Sequence, residues 1–317
     1  MTLTDHPATL ELKRYVGRED LPAFLAFASA ATKARSPLRS TWHPGDLVWQ
    51  LSDRLDGRHA LYGVVETGSF VAVAWFQGPG ELLLDVLPSH EHLTACILEW
   101  AAERAARAPS AMQASDLRVT IFDSDVRRQE VLTQSGFRRT GPAGVQFERA
   151  LDGGYDEPMV GPEIRIRDSV GIDREARAAV HRAAWSALSH IGIDATSNFT
   201  AEDYRTLLNA PVYDPRFDIV AEADNGRLVA NCVAWTDPDS GTAIFEPVGV
   251  DPEFRGRRLA ERVMIEAFRR LQAAGMVSAR VGTAHFNAPA IASYQRSFVL
   301  ADHSSVWSRR IAEPESA

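Results

Sequence analysis

The chain repeats one pattern of elements twice. Thr67 to Phe76 (TGSFVAVAWF) reads as a strand after a turn, and Asn225 to Trp235 (NGRLVANCVAW) has the same character. Each is followed by a glycine-containing turn and a second strand ending in proline, Glu81 to Pro88 in the first half and Ala243 to Pro252 in the second. Helical runs come next, from His92 and from Arg258, with apolar residues recurring at three and four. Another strand (from Leu117, from Ser278), a short helix and a closing strand (VQFERAL, SVWSRRI) complete each copy. The period is about 160 residues, so the chain reads as two copies of one α/β fold. Strands interleaved with helices imply, in each copy, a mixed sheet covered by helices.

The break between the copies is Leu151 to Pro162 (LDGGYDEPMVGP), where glycines, prolines and acids replace any hydrophobic period. The expected organisation is a first domain over 8–150, a linker over 151–162 and a second domain over 163–312. At 317 residues, with 45% hydrophobic and 24% charged residues, each copy can bury a core. Lys and Arg total 34 against 42 Asp and Glu, a net charge of -8, which argues against nucleic acid or an anionic membrane as partner. Any anion site is therefore local. The two cysteines, Cys96 and Cys232, have neither metal-type nor disulfide-framework spacing, and a reducing cytoplasm fits them. The N-terminal stretch has no apolar run of signal-peptide length, and no segment reaches the roughly 18 apolar residues of a membrane span, so a soluble cytoplasmic protein is expected.

The turn DPEFRGRRLAERV, Asp251 to Val263, is where the chemistry concentrates. It joins a buried strand to an amphipathic helix through one glycine and three arginines. The first N–H groups of a helix lack partners and its dipole is positive there, so an anion is stabilised. Gly256 permits a backbone geometry or a close approach that a side chain would block, while Arg255, Arg257 and Arg258 add cationic groups. Charge pattern alone favours a solvated face or ion pairs, with Glu253 and Glu261 as partners. The order strand, proline, glycine turn, helix favours phosphate.

This segment resembles the cofactor motif of the GCN5-related N-acetyltransferases: Gln or Arg, two residues, Gly, one residue, then Gly or Ala. Laid on this chain the pattern runs from Arg255 to Ala260, with Arg258 at the central glycine position and the glycine instead at Gly256. The resemblance implies two tandem domains of that fold, each a mixed, mostly antiparallel sheet covered by helices. It also implies acetyl-coenzyme A as cosubstrate, its pyrophosphate held by the amides of Arg257, Arg258, Leu259 and Ala260 and its pantetheine arm aligned on Val248, Gly249 and Val250. In the family a later helix carries a tyrosine that protonates the departing thiolate, commonly preceded by an asparagine. TAHFNAPAIASYQRSF supplies Asn287 and Tyr294, with Ser297 where glycine is usual before Phe298. The first copy has LPSHEHL at the loop, with neither glycine nor arginine, so it is expected to have lost the cofactor and to be structural. A narrower likeness is to the mycothiol synthase arrangement, which also pairs a degenerate first domain with an active second one.

Transfer to an amine needs a base, because an ammonium has a reference pKa of about 8 to 10. Glu246, beside Phe245 and Pro247, is the candidate, since partial burial raises a carboxyl's pKa. A surface glutamate paired with an arginine is the alternative. Tyr294 is the candidate acid, against a packed aromatic. His181, His190, His285 and His303 show no metal-ligand pattern, no metal is expected, and only His285 falls where a second base could stand. Trp185, Asp194, Tyr204 and Tyr213 are the candidates for the acceptor pocket. The expected activity is acetylation of a primary amine of a small molecule by direct attack. A non-catalytic acyl-coenzyme A binding or scaffold protein is the alternative. A monomer is preferred and a homodimer possible.

Overall fold

The structure is a computed structural model describing residues 2–3, 10–35, 40–51, 60–108, 114–159, 161, 163–186 and 196–311. The first half supplies β1 (Thr2–Leu3), β2 (Leu10–Arg14), α1 (Leu21–Ala34), α2 (Pro44–Leu51), β3 (Leu61–Glu66), β4 (Ser69–Gly78), β5 (Glu81–Val86), α3 (Thr94–Ala106), β6 (Asp116–Phe122), α4 (Val126–Gln134) and β7 (Arg138–Ala150). The second supplies β8 (Ile164–Asp168), α5 (Arg174–Ala184), α6 (Ala201–Leu208), β9 (Asp218–Ala223), β10 (Leu228–Asp237), β11 (Thr242–Val250), α7 (Leu259–Ala273), β12 (Ser278–Ala284), α8 (Ala288–Tyr294) and β13 (Val299–Arg310). The central strands, the helices after them and the closing strands follow the order read from the sequence, which does not single out β1, β2 or β8, strands of two to five residues too short to show a period.

Two compact units result, and they group the chain differently from the linker at 151–162. One holds residues 1–42, 54–144 and 302–317; the other holds 43–53 and 145–301. So α2, encoded in the first half, packs in the second unit on β10 and β11. The closing strands also cross over in sequence. Residues Ser304–Arg310 of β13 pair antiparallel with β6 in the first unit. In the second, the end of β7 lies beside β12, where a Cβ on Gly282 would fall 2.9 Å from Gln146 Oε1.

Within the second unit the strands run β12-β11-β10-β9-β8, antiparallel except for the β11–β12 pair. The first unit has the equivalent order β1-β2-β3-β4-β5-β6, with β5–β6 the parallel pair. Helix α7 shows how the core forms. Leu259, Val263, Ile265, Phe268 and Leu271 are buried by it, most of them against Phe245, Val229 and Ala279 of the sheet. Each such side chain contributes about 1.5–3 kcal/mol on leaving water. That burial fixes α7, and with it the helix start that faces the site.

Two strand details position the site. The β11–β12 pairing covers only Thr242↔Ser278, Ala243↔Ala279 and Ile244↔Arg280. Beyond Ile244 the two strands separate, and β11 pairs with β10 alone. Opposite the separation, the β10–β11 register shifts between Cys232 and Ala234, which makes Glu246 and Pro247 the extra residues of a bulge. The Trp235 indole donates to the Glu246 carbonyl at 2.5 Å and holds the bulge in place.

Among the described residues, no helix is long and apolar enough to cross a membrane.

Candidate active site

The gap left where β11 and β12 separate is a cleft of about 470 Å³. One wall is Val248, Gly249 and Val250, whose outer backbone edge has no neighbouring strand among the described residues. The opposite wall is α8, with Asn287 and Tyr294, and one end is the turn Phe254 to Ala260 at the start of α7. Trp185, just past α5, lies over the strand. A Cβ on Gly249 would come within 2.4 Å of its ring and 2.6 Å of Ala184, so glycine is required there for close approach. The structure thus brings Val248, Gly249, Val250, Arg255, Gly256, Arg258, Leu259, Ala260, Asn287, Tyr294 and Trp185 to one cavity.

The turn resolves what the motif left open. Gly256 has φ +79 with nothing within 4 Å of a built Cβ, so its role is conformational. Arg258, at the motif's central glycine position, has φ 58 and ψ 24. Its backbone is left-handed, not helical, which is why glycine suits this position and costs a side chain about 1–2 kcal/mol. Its guanidinium makes two 2.7 Å bonds to Glu261, within its own turn. Arg255 donates to the Ala184 carbonyl at 3.1 Å, tying the turn to α5. Arg257 lies half-exposed over the Phe254 ring, 3.8 Å from Glu163. The first-turn N–H groups of α7 point into the cleft end by helix geometry. At Ser297 the backbone is not left-handed, unlike Gly136 with φ +79, so the second copy has no need of the glycine.

Asn287 caps α8, accepting from the Ala290 N–H, and donates to Thr283 at 2.9 Å. Tyr294 is buried beside Phe147 and Phe298. Burial, and then the neighbouring Glu246 and Cys232, push its phenol well up, so it is protonated throughout the neutral range. Glu246 is partly buried on the bulge. Burial, then the charge of Asp46 and a hydrogen bond to it, raise its carboxyl well above the usual range, against the opposing pull of Arg280.

Tyr204 and Tyr213 stand elsewhere. Both were expected at the acceptor pocket; instead they close a buried network on Asp218, with Tyr213 donating at 2.7 Å, Tyr204 at 3.4 Å and the Arg177 Nε at 2.8 Å. A buried carboxylate needs such donors, and two phenols supply them. Asp194 and His190 lie outside the described residues. His285 is exposed, edge-on to Phe286, and does not line the cleft.

Sequence reasoning missed the residues that α2 brings. His43 and Asp46 form a capping box: the Gly45 N–H donates to His43 Nδ1 at 3.1 Å, and the His43 N–H to Asp46 at 2.9 Å. Asp46 also receives Arg280 at 3.1 Å. Nothing in the stretch HPGD tells which copy this helix joins. His181 was also passed over. It stacks on Trp185 with centroids 4.4 Å apart and meets Trp49 and Phe199 edge-on or tilted. Burial, then Arg177 and Arg182, lower its imidazole to about 3, so it is neutral.

The first unit has the same strand separation but fills it. The carbonyls of Leu84 and Val86 precede Pro88 as those of Val248 and Val250 precede Pro252. Arg128 donates to Leu84 at 3.4 Å and Arg35 to Val86 at 2.5 Å. Both guanidinium groups are buried against Asp85, Glu91 and Asp125. Burial alone would raise the Glu91 carboxyl, but Arg128 and Arg35 hold it below its ordinary value. The edge that is open in the second unit is thus satisfied here by the chain itself.

Among the described residues, no group of three His, Cys, Asp or Glu is placed to hold a metal ion.

Residues 182–298 match the profile of the Acetyltransferase (GNAT) family. No curated protein matches the chain. Among solved structures, it is similar to a tandem GNAT protein from the clavulanic acid biosynthesis pathway, at 16% identity and TM-score 0.62 over 97% of this chain and all of that one. It is also similar to a GCN5-related N-acetyltransferase from Sphaerobacter thermophilus, at 19% identity and TM-score 0.57 over 95% of this chain and 96% of that one. A GNAT-family acetyltransferase from Colwellia psychrerythraea aligns at 13% identity and TM-score 0.59, over 95% of this chain and all of that one. These likenesses show the fold, mixed, mostly antiparallel and of the GNAT kind.

Proposed function

We propose that this chain, whose residues 182–298 form an acetyltransferase domain of the GNAT family, transfers the acetyl group of acetyl-coenzyme A to a primary amine of a small molecule in its second unit. The observation that carries this reading is the unpaired β11 edge at Val248 to Val250, opening on a cleft that ends at the start of α7. A strand edge offers N–H and carbonyl groups in alternation, which suits the amides of a pantetheine arm. A left-handed turn followed by a helix start offers converging N–H groups to a pyrophosphate. The residues present fit acetyl-coenzyme A, which when bound supplies an activated thioester.

The chain's own residues supply the rest. A β11 N–H near Val248 would stabilise charge developing on the acetyl oxygen. Glu246, with its raised proton affinity, is matched to the ammonium it would deprotonate. Tyr294, protonated at neutral pH and lining the cleft, would deliver a proton to the leaving sulfur. Trp185 bounds the acceptor side of the cleft. The first unit, with its carbonyl edge taken by Arg35 and Arg128, is assigned a structural role.

A second reading, an acyl-coenzyme A binding or scaffold protein, has support in Arg258, which stands at the motif's central glycine position with its guanidinium paired to Glu261. Calorimetric titration with acetyl-coenzyme A tests both, and a free-thiol release assay separates them. The expected result is one site per chain, abolished by Gly256→Glu through backbone strain and charge. No binding would overturn both readings. In Tyr294→Phe, binding stays and free-thiol release with an accepted amine falls by about 10-fold to 100-fold. Binding with no thiol release from any amine would favour the scaffold.

A further inference from the structure

Helices α2 and α5 both pack on β10 and β11, and they meet through aromatic rings. His181 of α5 is at the centre. It stacks on Trp185 with centroids 4.4 Å apart, and lies 4.8 Å from the ring of Phe199 and 5.5 Å from that of Trp49 on α2. Trp49 and Phe199 complete the group at 5.7 Å from each other. This aromatic wall is continuous with the cleft, because Trp185 belongs to both. His181 is buried, but Trp49, Phe199 and Trp185 are each only partly buried, so three rings keep surface to offer. Aromatic surface grouped beside a cleft suits the apolar part of a ligand.

Charge beside these rings is uneven. Near Trp49 stand carboxyls. Asp46 lies three residues before Trp49 on α2, hence on the same side of the helix, and accepts from Arg280 at 3.1 Å. Phe245 and Val248 pack into the core on the α7 side of the sheet, so Glu246, which follows Phe245, faces the side of α2 and α5, as does Gly249 beneath Trp185. Beside Phe199 stands a cation instead, the Arg182 guanidinium, which donates to the Phe199 carbonyl at 2.8 Å. An ammonium fits the carboxyls and a neutral apolar body fits the rings, whereas a second ammonium among the rings would be set against Arg182.

We propose that the acceptor is an arylalkyl monoamine, its ring against Trp49, Phe199 and Trp185 and its nitrogen toward Glu246, and that Trp49, contributed by α2, is a specificity-determining residue. This rests on the reading of the cleft as a site of acetyl transfer given above. In the transfer the nitrogen gains the acetyl group from sulfur, and the ammonium loses two protons, one ending on the thiol of coenzyme A and one in water. The product is a neutral amide. The carboxyls then have no charge to hold, which favours its release.

The test is calorimetric titration of phenethylamine into the full chain, with free coenzyme A present and again without it, against ethylamine and putrescine as comparisons. Expected is one site for phenethylamine, tighter than either comparison by about tenfold or more. Trp49→Ala weakens phenethylamine by about tenfold and leaves ethylamine and coenzyme A as they were, while Trp49→Phe, which keeps a ring, recovers most of the loss. If Trp49→Ala folds poorly, Trp49→Leu, which keeps apolar bulk without a ring, carries the same expectation. No phenethylamine binding, putrescine bound as tightly, or indifference to loss of the Trp49 ring in a protein with an unchanged thermal midpoint overturns the proposal. Acetyl-coenzyme A then replaces coenzyme A, and free thiol is followed. Phenethylamine that binds at the rings without thiol release keeps the aromatic site and sinks acetyl transfer. Thiol release with putrescine or glucosamine but not with phenethylamine keeps acetyl transfer and sinks the arylalkyl acceptor.

Discussion

His181 is a neutral imidazole between aromatic rings, and its burial makes an acid-stability prediction. An unfolded histidine takes a proton near 6.5, while in the fold it resists until about 3. The unfolded state therefore binds more protons in that interval. The contribution of His181 to stability is complete above its ordinary pKa and is lost as pH falls through 6.5 toward 3. At about 1.4 kcal/mol per tenfold of proton affinity, the loss is on the order of 5 kcal/mol. Urea denaturation midpoints across this range should fall more steeply for the wild type than for His181→Phe, with the slope due to neutral His43 left in both. Parallel curves would mean that the imidazole is charged in the fold. At this scale the sequence revealed residue types but not their commitments. Gly256 and Tyr294 could be picked out from a motif because the spacing carries their geometry. Arg258 could not be understood that way, since its left-handed backbone and its pairing with Glu261 are properties of the folded turn. Tyr204 and Tyr213 looked like pocket residues because aromatic hydroxyls serve pockets and buried carboxylates equally well.

Helix α2 shows the limits of reading elements. Its apolar face, Leu47, Val48 and Leu51, is buried. Which core it joins is decided by shape: Gly45 allows the helix start to touch Trp235 of β10. Gly45→Ala would push a methyl into that ring and force the helix outward, costing about 1–3 kcal/mol. The expected outcome is a lower thermal midpoint in differential scanning calorimetry. An unchanged midpoint would mean that the helix start yields to the methyl without cost. The open edge of β11 was equally beyond the sequence. An alternating apolar strand reads the same whether its neighbour accompanies it for three residues or nine, and here the pairing stops at Ile244.

For the molecule as a whole, the duplication and the order of elements were legible because they rest on periodicity, which is local. The division in space was not, because it depends on contacts far apart in sequence. The second unit takes residues 43–53 and 145–150 from before the linker, and the first takes 302–311 from the chain's end. A fragment of residues 163–311 is therefore expected to unfold without a cooperative transition and to bind no acetyl-coenzyme A, as it lacks α2 and the strand beside β12. Differential scanning calorimetry on the fragment and the full chain checks this; a sharp transition in the fragment would refute it. The exchange of closing strands also bears on how the protein is made. Domains ordinarily fold in the order in which they leave the ribosome, the N-terminal one first. Here β6 waits for Ser304 to Arg310, which are translated after the whole of the second unit. The first unit begins synthesis before the second yet is completed after it, so while the second is being made the edge of β6 stands open to the chaperones that meet nascent chains.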